Sequence, residues 1–88
     1  MTWTVEFTPA ARKELSKAPT SDRRRILDFL EKRVAPLDDP RQIEAALSGP
    51  LAGHWKYRVG DYRIVAQIHN RRVTIIVVRV GNRREVYR

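Results

Sequence analysis

Trp3, Val5 and Phe7 alternate with Thr4, Glu6 and Thr8, the period-two pattern of a strand with one buried face. Thr8-Pro9 then changes the period. Thr is a good N-cap and Pro fits the first helical position, so a helix is predicted from here to about Lys17, ahead of Pro19. A second helix is predicted from Ser21 or Asp22. Its apolar positions Ile26, Leu27, Leu30 and Val34 fall on one stripe at helical spacing, and Pro36 closes it. Arg23, Arg24 and Arg25 open this helix as a solvated face. Asp38-Asp39-Pro40 reads as a turn, Gln42 to Leu47 as one short helical turn, and Ser48-Gly49-Pro50 with Gly53 as loop.

Beyond Gly53 the period returns to two. Trp55 to Val59 and Tyr62 to His69 are predicted strands, joined by Gly60-Asp61, whose leading glycine suits a type II′ hairpin turn. Asn70-Arg71-Arg72 turns the chain again. Val73 to Val80 is apolar on both faces and is expected inside the sheet, with Gly81 breaking it before the tail Asn82 to Arg88. The order β-α-α-β-β-β predicts an α+β fold: two N-terminal helices packed on a small, curled, mostly antiparallel four-stranded sheet. Residues 1–88 make one domain, without repeats or linkers.

The two-residue turn dictates a register. Val59 faces Tyr62, Arg58 faces Arg63, Tyr57 faces Ile64 and Lys56 faces Val65. Alternation then places Lys56, Arg58 and Arg63 on one face, and Trp55, Tyr57, Val59, Tyr62, Ile64, Ala66 and Ile68 on the other, against the helices. Arg58 opposite Arg63 is a like-charge pair that costs stability. An anion held between the two guanidinium groups gives the arrangement a purpose. Arg79 has two placements: a two-residue turn after His69 sends it to the core side, and a three-residue turn brings it beside Arg63. His54 and His69 lie apart in this topology, with His69 exposed beside its turn.

Charge sharpens this picture. Residues 1–54 carry nine Lys/Arg and eight Asp/Glu, whereas residues 55–88 carry nine Lys/Arg and only Asp61 and Glu85. Almost all of the net charge of +8 therefore belongs to the predicted strands and tail, interleaved with Trp55, Tyr57, Tyr62 and Tyr87. A rigid basic face beside aromatic rings suits phosphate contact with base stacking, as in RNA binding. The chain has no cysteine, no zinc-protease or P-loop motif and no paired carboxylates near the basic face. Any phosphoryl chemistry here is expected to be metal-free and without cofactor, carried by cationic groups that stabilise charge building on the phosphate. No segment reaches membrane-spanning length or has the make-up of a signal peptide, so a soluble protein of the cytoplasm, without a membrane partner, is expected.

The run Trp55-Lys56-Tyr57-Arg58-Val59-Gly60-Asp61-Tyr62-Arg63-Ile64, followed by Val80-Gly81-Asn82-Arg83-Arg84-Glu85-Val86-Tyr87, resembles the RelE/ParE toxin superfamily. The Thr8-Pro9-Ala10 helix start and the Leu47 and Gly49 segment fit as well, and the resemblance covers essentially the whole chain. It implies a toxin of a bacterial toxin–antitoxin pair. The RelE type implies an endoribonuclease (an mRNA interferase) that enters the ribosomal A site and cuts mRNA by attack of a 2′-hydroxyl on the adjacent phosphate, without metal. Lys56 and Arg58 then match the basic pair of the first hairpin strand, Arg63 and Arg83 the phosphate-holding arginines, and Tyr87 the base-stacking tyrosine. Arg84 joins them in RNA binding.

The implied partners are a cognate antitoxin, the 70S ribosome and mRNA, with operator DNA reached only through the antitoxin complex. Two departures bear on the chemistry. Arg58 replaces a lysine proposed as general base in some members, and arginine is a poor base. Asn82 stands where many relatives carry a histidine or another basic residue. The base assignment stays open between Lys56 and another group. So do two other functions of the same fold: a ParE-type inhibitor of DNA gyrase, or an inactive member serving only in a repressor complex.

Overall fold

The computed structural model describes residues 2–43, 45–46 and 53–82. The chain runs through β1 (Thr4–Phe7), α1 (Pro9–Ser16), α2 (Thr20–Asp28), β2 (Ala45–Ala46), β3 (Trp55–Val59), β4 (Tyr62–His69) and β5 (Thr74–Asn82). The sheet order is β1-β5-β4-β3-β2, with β1 parallel to β5 and every other pair antiparallel. This is the expected α+β fold, with the long apolar strand β5 flanked on both sides.

Helix α1 starts as its sequence dictates: Pro9 occupies the first turn and the Thr8 hydroxyl accepts from the Ala11 N–H at 3.1 Å. Helix α2 begins one residue ahead of the expected start, with Pro19 at its N-cap and no side-chain cap. Past Asp28 the chain continues directly into a π-helical segment, Phe29–Val34, in which the Ala35 N–H reaches the Leu30 carbonyl. The apolar stripe survives this change of helix type. Ile26, Leu30 and Val34 are fully buried and join Ala11 and Leu15 of α1 against Tyr57, Ile64, Ala66, Ile75, Val77 and Val80 of the sheet. Both helices therefore cover one sheet face, the face that carries Tyr57 and Ile64.

Three local expectations are corrected. The helical turn expected over Gln42 to Leu47 lies earlier, as a 3-10 turn at Pro40–Gln42, because the Asp39 carboxylate accepts from the Arg41 N–H at 3.0 Å and nucleates it there. Ala45–Ala46 instead forms a two-residue edge strand on Lys56 and Trp55. Gly81 does not break β5: it pairs with Arg63, and Asn82 pairs with Tyr62. The turn after β4 spans Asn70 to Val73, with Val73 at φ 47°. A bulge on β5 then follows, where Val65 pairs with Arg79 but Ala66 pairs with Val77, leaving Val78 as the extra residue.

That bulge lets β5 serve the core along its whole length. Ile75 and Val77 point to the helices before it, and Val80 does so after it. Beyond Val77 the strand has lost its β1 neighbour, because β1 ends at Phe7. The Glu14 carboxylate of α1 takes over there, accepting from the Val80 N–H at 3.1 Å and from Arg79 at 3.3 Å. A backbone donor left unpaired at a sheet edge is thus satisfied from a helix.

Candidate nucleic-acid interface

The β3–β4 hairpin positions the basic face. Gly60 has φ 58° and Asp61 is not in the left-handed region, which matches a tight turn with glycine leading. Ladder pairs then fall as the two-residue turn requires: Val59 with Tyr62, Arg58 with Arg63, Tyr57 with Ile64, Lys56 with Val65 and Trp55 with Ala66. The inward set is anchored firmly. Tyr57 is fully buried, meets Phe29 edge-to-face at 6.1 Å between ring centres, and donates its hydroxyl to the Pro40 carbonyl at 2.8 Å. Burial pushes the Tyr57 phenol well above its ordinary value; nearby Arg41 opposes the shift and Asp39 adds to it. Trp55 is half-buried and donates from its indole N–H to the Ile43 carbonyl at 2.8 Å.

With Tyr57 and Ile64 held inward, alternation turns Lys56, Arg58 and Arg63 to the opposite face. Arg58 is exposed, and Lys56 and Arg63 are half-buried. The Arg63 guanidinium leans along the turn and donates from Nη1 to the carbonyls of Gly60 and Tyr62, at 3.1 and 3.0 Å. Arg25 of α2 approaches the same turn from the helix side: a Cβ at Gly60 would sit 3.4 Å from its Nη2. Two guanidinium groups therefore flank the Gly60-Asp61 turn, and a third, Arg58, faces one of them across the ladder.

Arg79 takes the second of its two expected placements by a different route. The longer turn and the bulge together restore the parity of a three-residue turn, so Arg79 pairs with Val65 on the Arg63 side. It is tied down there by Glu14 at 3.3 Å. Arg83, Arg84 and Tyr87 lie outside the described residues.

One part of this face was not foreseen. Extending the β3–β4 register past Lys56 and Val65 sets His54 across from Gln67, and their side chains meet, Gln67 Nε2 to His54 Nε2, at 3.3 Å. The other end of the same amide accepts from His69 Nε2 at 3.1 Å. The two imidazoles are thus joined through one glutamine. His69 is half-buried, not exposed. The signal was available: the register that pairs Arg58 with Arg63, continued four residues, sets His54 across from Gln67. Among the described residues there is no cluster of His, Cys, Asp or Glu able to hold a metal, and no helix long and apolar enough to cross a membrane.

A small α+β domain with a basic hairpin of this kind is found among bacterial toxins. Residues 5–87 match the family described as the ParE toxin of type II toxin-antitoxin system, parDE, and the chain belongs to that family. Toxin RelG of Mycobacterium tuberculosis is 31% identical over 88 residues, covering 100% of this chain and 99% of the relative. The toxin–antitoxin complex RelBE2 of the same organism contains a chain with 29% identity and a TM-score of 0.85, over 94% of this chain and 93% of that one. A double mutant of the E. coli toxin RelE in its free state is 28% identical with a TM-score of 0.72, over 93% and 84% of the two chains.

Proposed function

We propose that this toxin is a ribosome-dependent endoribonuclease of the RelE type. The observation that carries the reading is the Arg58–Arg63 rung, with Lys56 one rung away on the same open face. A phosphate between two guanidinium groups relieves their repulsion and is polarised for attack by the neighbouring 2′-hydroxyl. Arg63, already turned toward the hairpin end by two carbonyls, holds the scissile phosphate with Arg58. Lys56 meets the charge that builds on it. Arg83 supplies a second phosphate contact, Arg84 adds RNA affinity, and Tyr87 stacks on a base. The chemistry uses these groups without metal or cofactor. Its setting is the cytoplasm, with the 70S ribosome and its mRNA as partners.

A cognate antitoxin is the further partner, supported by the RelBE2 complex in which the similar toxin is found. The basic face calls for an acidic segment that orders on binding. Operator DNA is reached only through that complex.

The test is cleavage in vitro. Ribosomes programmed with a defined A-site codon are mixed with purified toxin, and the mRNA is mapped by primer extension. One cut within that codon supports the reading. The family match to ParE toxins favours a second one, inhibition of DNA gyrase, which the same preparation tests by loss of supercoiling activity. Gyrase inhibition without mRNA cleavage would replace the first reading with the second.

A further inference from the structure

Resting on the antitoxin partnership in that reading, we propose that the groove between α2 and the end of β3 is the docking site for an apolar side chain of an acidic antitoxin segment. This contact is separate from the basic face assigned to RNA.

The groove has a volume of about 320 Å³ and is lined by Arg25, Asp28, Phe29, Lys32, Arg33 and Val59. Phe29 and Val59 form its floor, and both are half-buried at the margin of the core. Tyr57 holds the Phe29 ring from behind, edge-to-face at 6.1 Å. The floor is thus a fixed apolar surface that folding leaves partly uncovered. The helical wall is one stripe: Arg25, Phe29 and Arg33 recur at every fourth residue, with Asp28 and Lys32 beside them. Arg25 closes the hairpin end, where its guanidinium lies 3.4 Å from the position of a Cβ on Gly60. Phe29, Lys32 and Arg33 belong to the π-helical segment, a rare backbone form that often marks functional sites.

Charge names the occupant. The only carboxylate on the rim, Asp28, is already paired with Lys32 at 3.7 Å. Arg25 and Arg33 are exposed and make no ion pair among the described residues. A second copy of the chain would set these cations against themselves across a two-fold axis. RNA supplies the right sign, but a floor of Phe29 and Val59 offers a base no hydrogen-bond partner, and Asp28 repels a phosphate. An apolar floor inside a charged rim is the anatomy of a protein contact. A large apolar side chain flanked by carboxylates satisfies floor and rim together.

Position gives the contact a purpose. Arg25 and Arg63 reach Gly60 from opposite sides. A segment anchored in the groove therefore continues past the turn onto the Arg58–Arg63 face. The anchor raises the local concentration of its acidic residues there, where they compete with RNA.

The toxin and its cognate antitoxin are purified separately and titrated by calorimetry, with thermal melting and programmed-ribosome cleavage of each toxin alongside. Arg33→Glu reverses a rim charge. Val59→Thr keeps the shape of the floor and makes it polar. Arg71→Glu reverses an exposed charge on the β4–β5 turn, outside the groove, and controls for net charge.

Arg33→Glu and Val59→Thr should each weaken antitoxin binding about ten- to hundredfold, and Arg71→Glu by less than about threefold. All three should cut mRNA as the wild type does. Should Val59→Thr melt early, Arg33→Glu, with its exposed side chain, carries the test. Antitoxin affinity unchanged in the groove variants overturns the proposal. So does equal weakening by Arg33→Glu and Arg71→Glu, the mark of general charge attraction. Loss of cleavage in Arg33→Glu with antitoxin affinity kept gives the groove to RNA. Self-association of the wild type that Arg33→Glu abolishes, read by sedimentation, gives it to a second copy. Absence of cutting by the wild type removes the RNase reading and leaves the binding comparison standing.

Discussion

Arg58 and Arg63 face each other directly across the β3–β4 ladder, with one guanidinium exposed and the other bonded to the carbonyls of Gly60 and Tyr62. Like charges in register weaken a hairpin. The two carbonyl bonds offset part of that cost by drawing the Arg63 charge toward the turn. Arg63→Ala therefore removes a repulsion and two hydrogen bonds together. Its melting temperature should stay within a few degrees of wild type, the scale of a change below about 1 kcal/mol in a domain of this size. Calorimetry checks this, and a fall above about 10 °C would show that Arg63 is chiefly structural.

Glu14 should matter more to folding than an exposed helix residue would. Glu14→Ala removes the acceptor of the Val80 N–H and one partner of Arg79 at once. A cost of about 1–3 kcal/mol is expected from the unpaired donor. Glu14→Gln retains an oxygen for Val80 and should lose less. Amide exchange at Val80 reads the difference: protection should fall in the alanine variant and largely persist in glutamine.

Tyr57 sets the alkaline limit of stability. Burial raises its folded-state pKa above the ordinary value of 10.0. The unfolded chain loses the phenolic proton first as pH rises, so the folded form is penalised only above about pH 10. Below that the contribution is fully present. Urea midpoints should therefore fall from pH 10 upward in the wild type, and the fall should be shallower in Tyr57→Phe. The Phe variant should also lose about 1 kcal/mol at neutral pH, from the bond to Pro40.

Gly60→Ala tests the turn that sets the register. The space is sufficient, since Arg25 lies 3.4 Å from the added carbon, but φ 58° is the left-handed region. About 1–2 kcal/mol should be lost. The loss should appear in melting, with mRNA cleavage retained at temperatures where the variant is folded.

The hairpin was legible because a two-residue turn with leading glycine leaves one register, and alternation then sorts Lys56, Arg58 and Arg63 from Tyr57 and Ile64. The helical stripe Ile26, Leu30 and Val34 was legible for the same reason of period. Arg79 was not, because its facing depends on the sum of a four-residue turn and a bulge at Val78, and neither has a sequence signal strong enough to count residues by. The strand Ala45–Ala46 is two residues long and exists through its pairing with β3, which local propensity does not register. The early stop assigned to Gly81 followed the usual cost of glycine in a strand, which pairing with Arg63 overrides. His54 and His69 are joined only through the Gln67 side chain, a contact that the spacing of the two histidines does not signal.

The measurement that reaches the central claim most directly is the map of mRNA 5′ ends in cells expressing the toxin or its Arg63→Ala variant, with the melting temperature of each purified protein. The account predicts codon-registered cuts for the wild type. For the variant it predicts cuts reduced by about 10²–10³ at an unchanged melting temperature, the loss typical of removing one charge-assisted donor from a phosphate site. An Arg63→Ala protein that melts normally and cuts at the wild-type rate would contradict it.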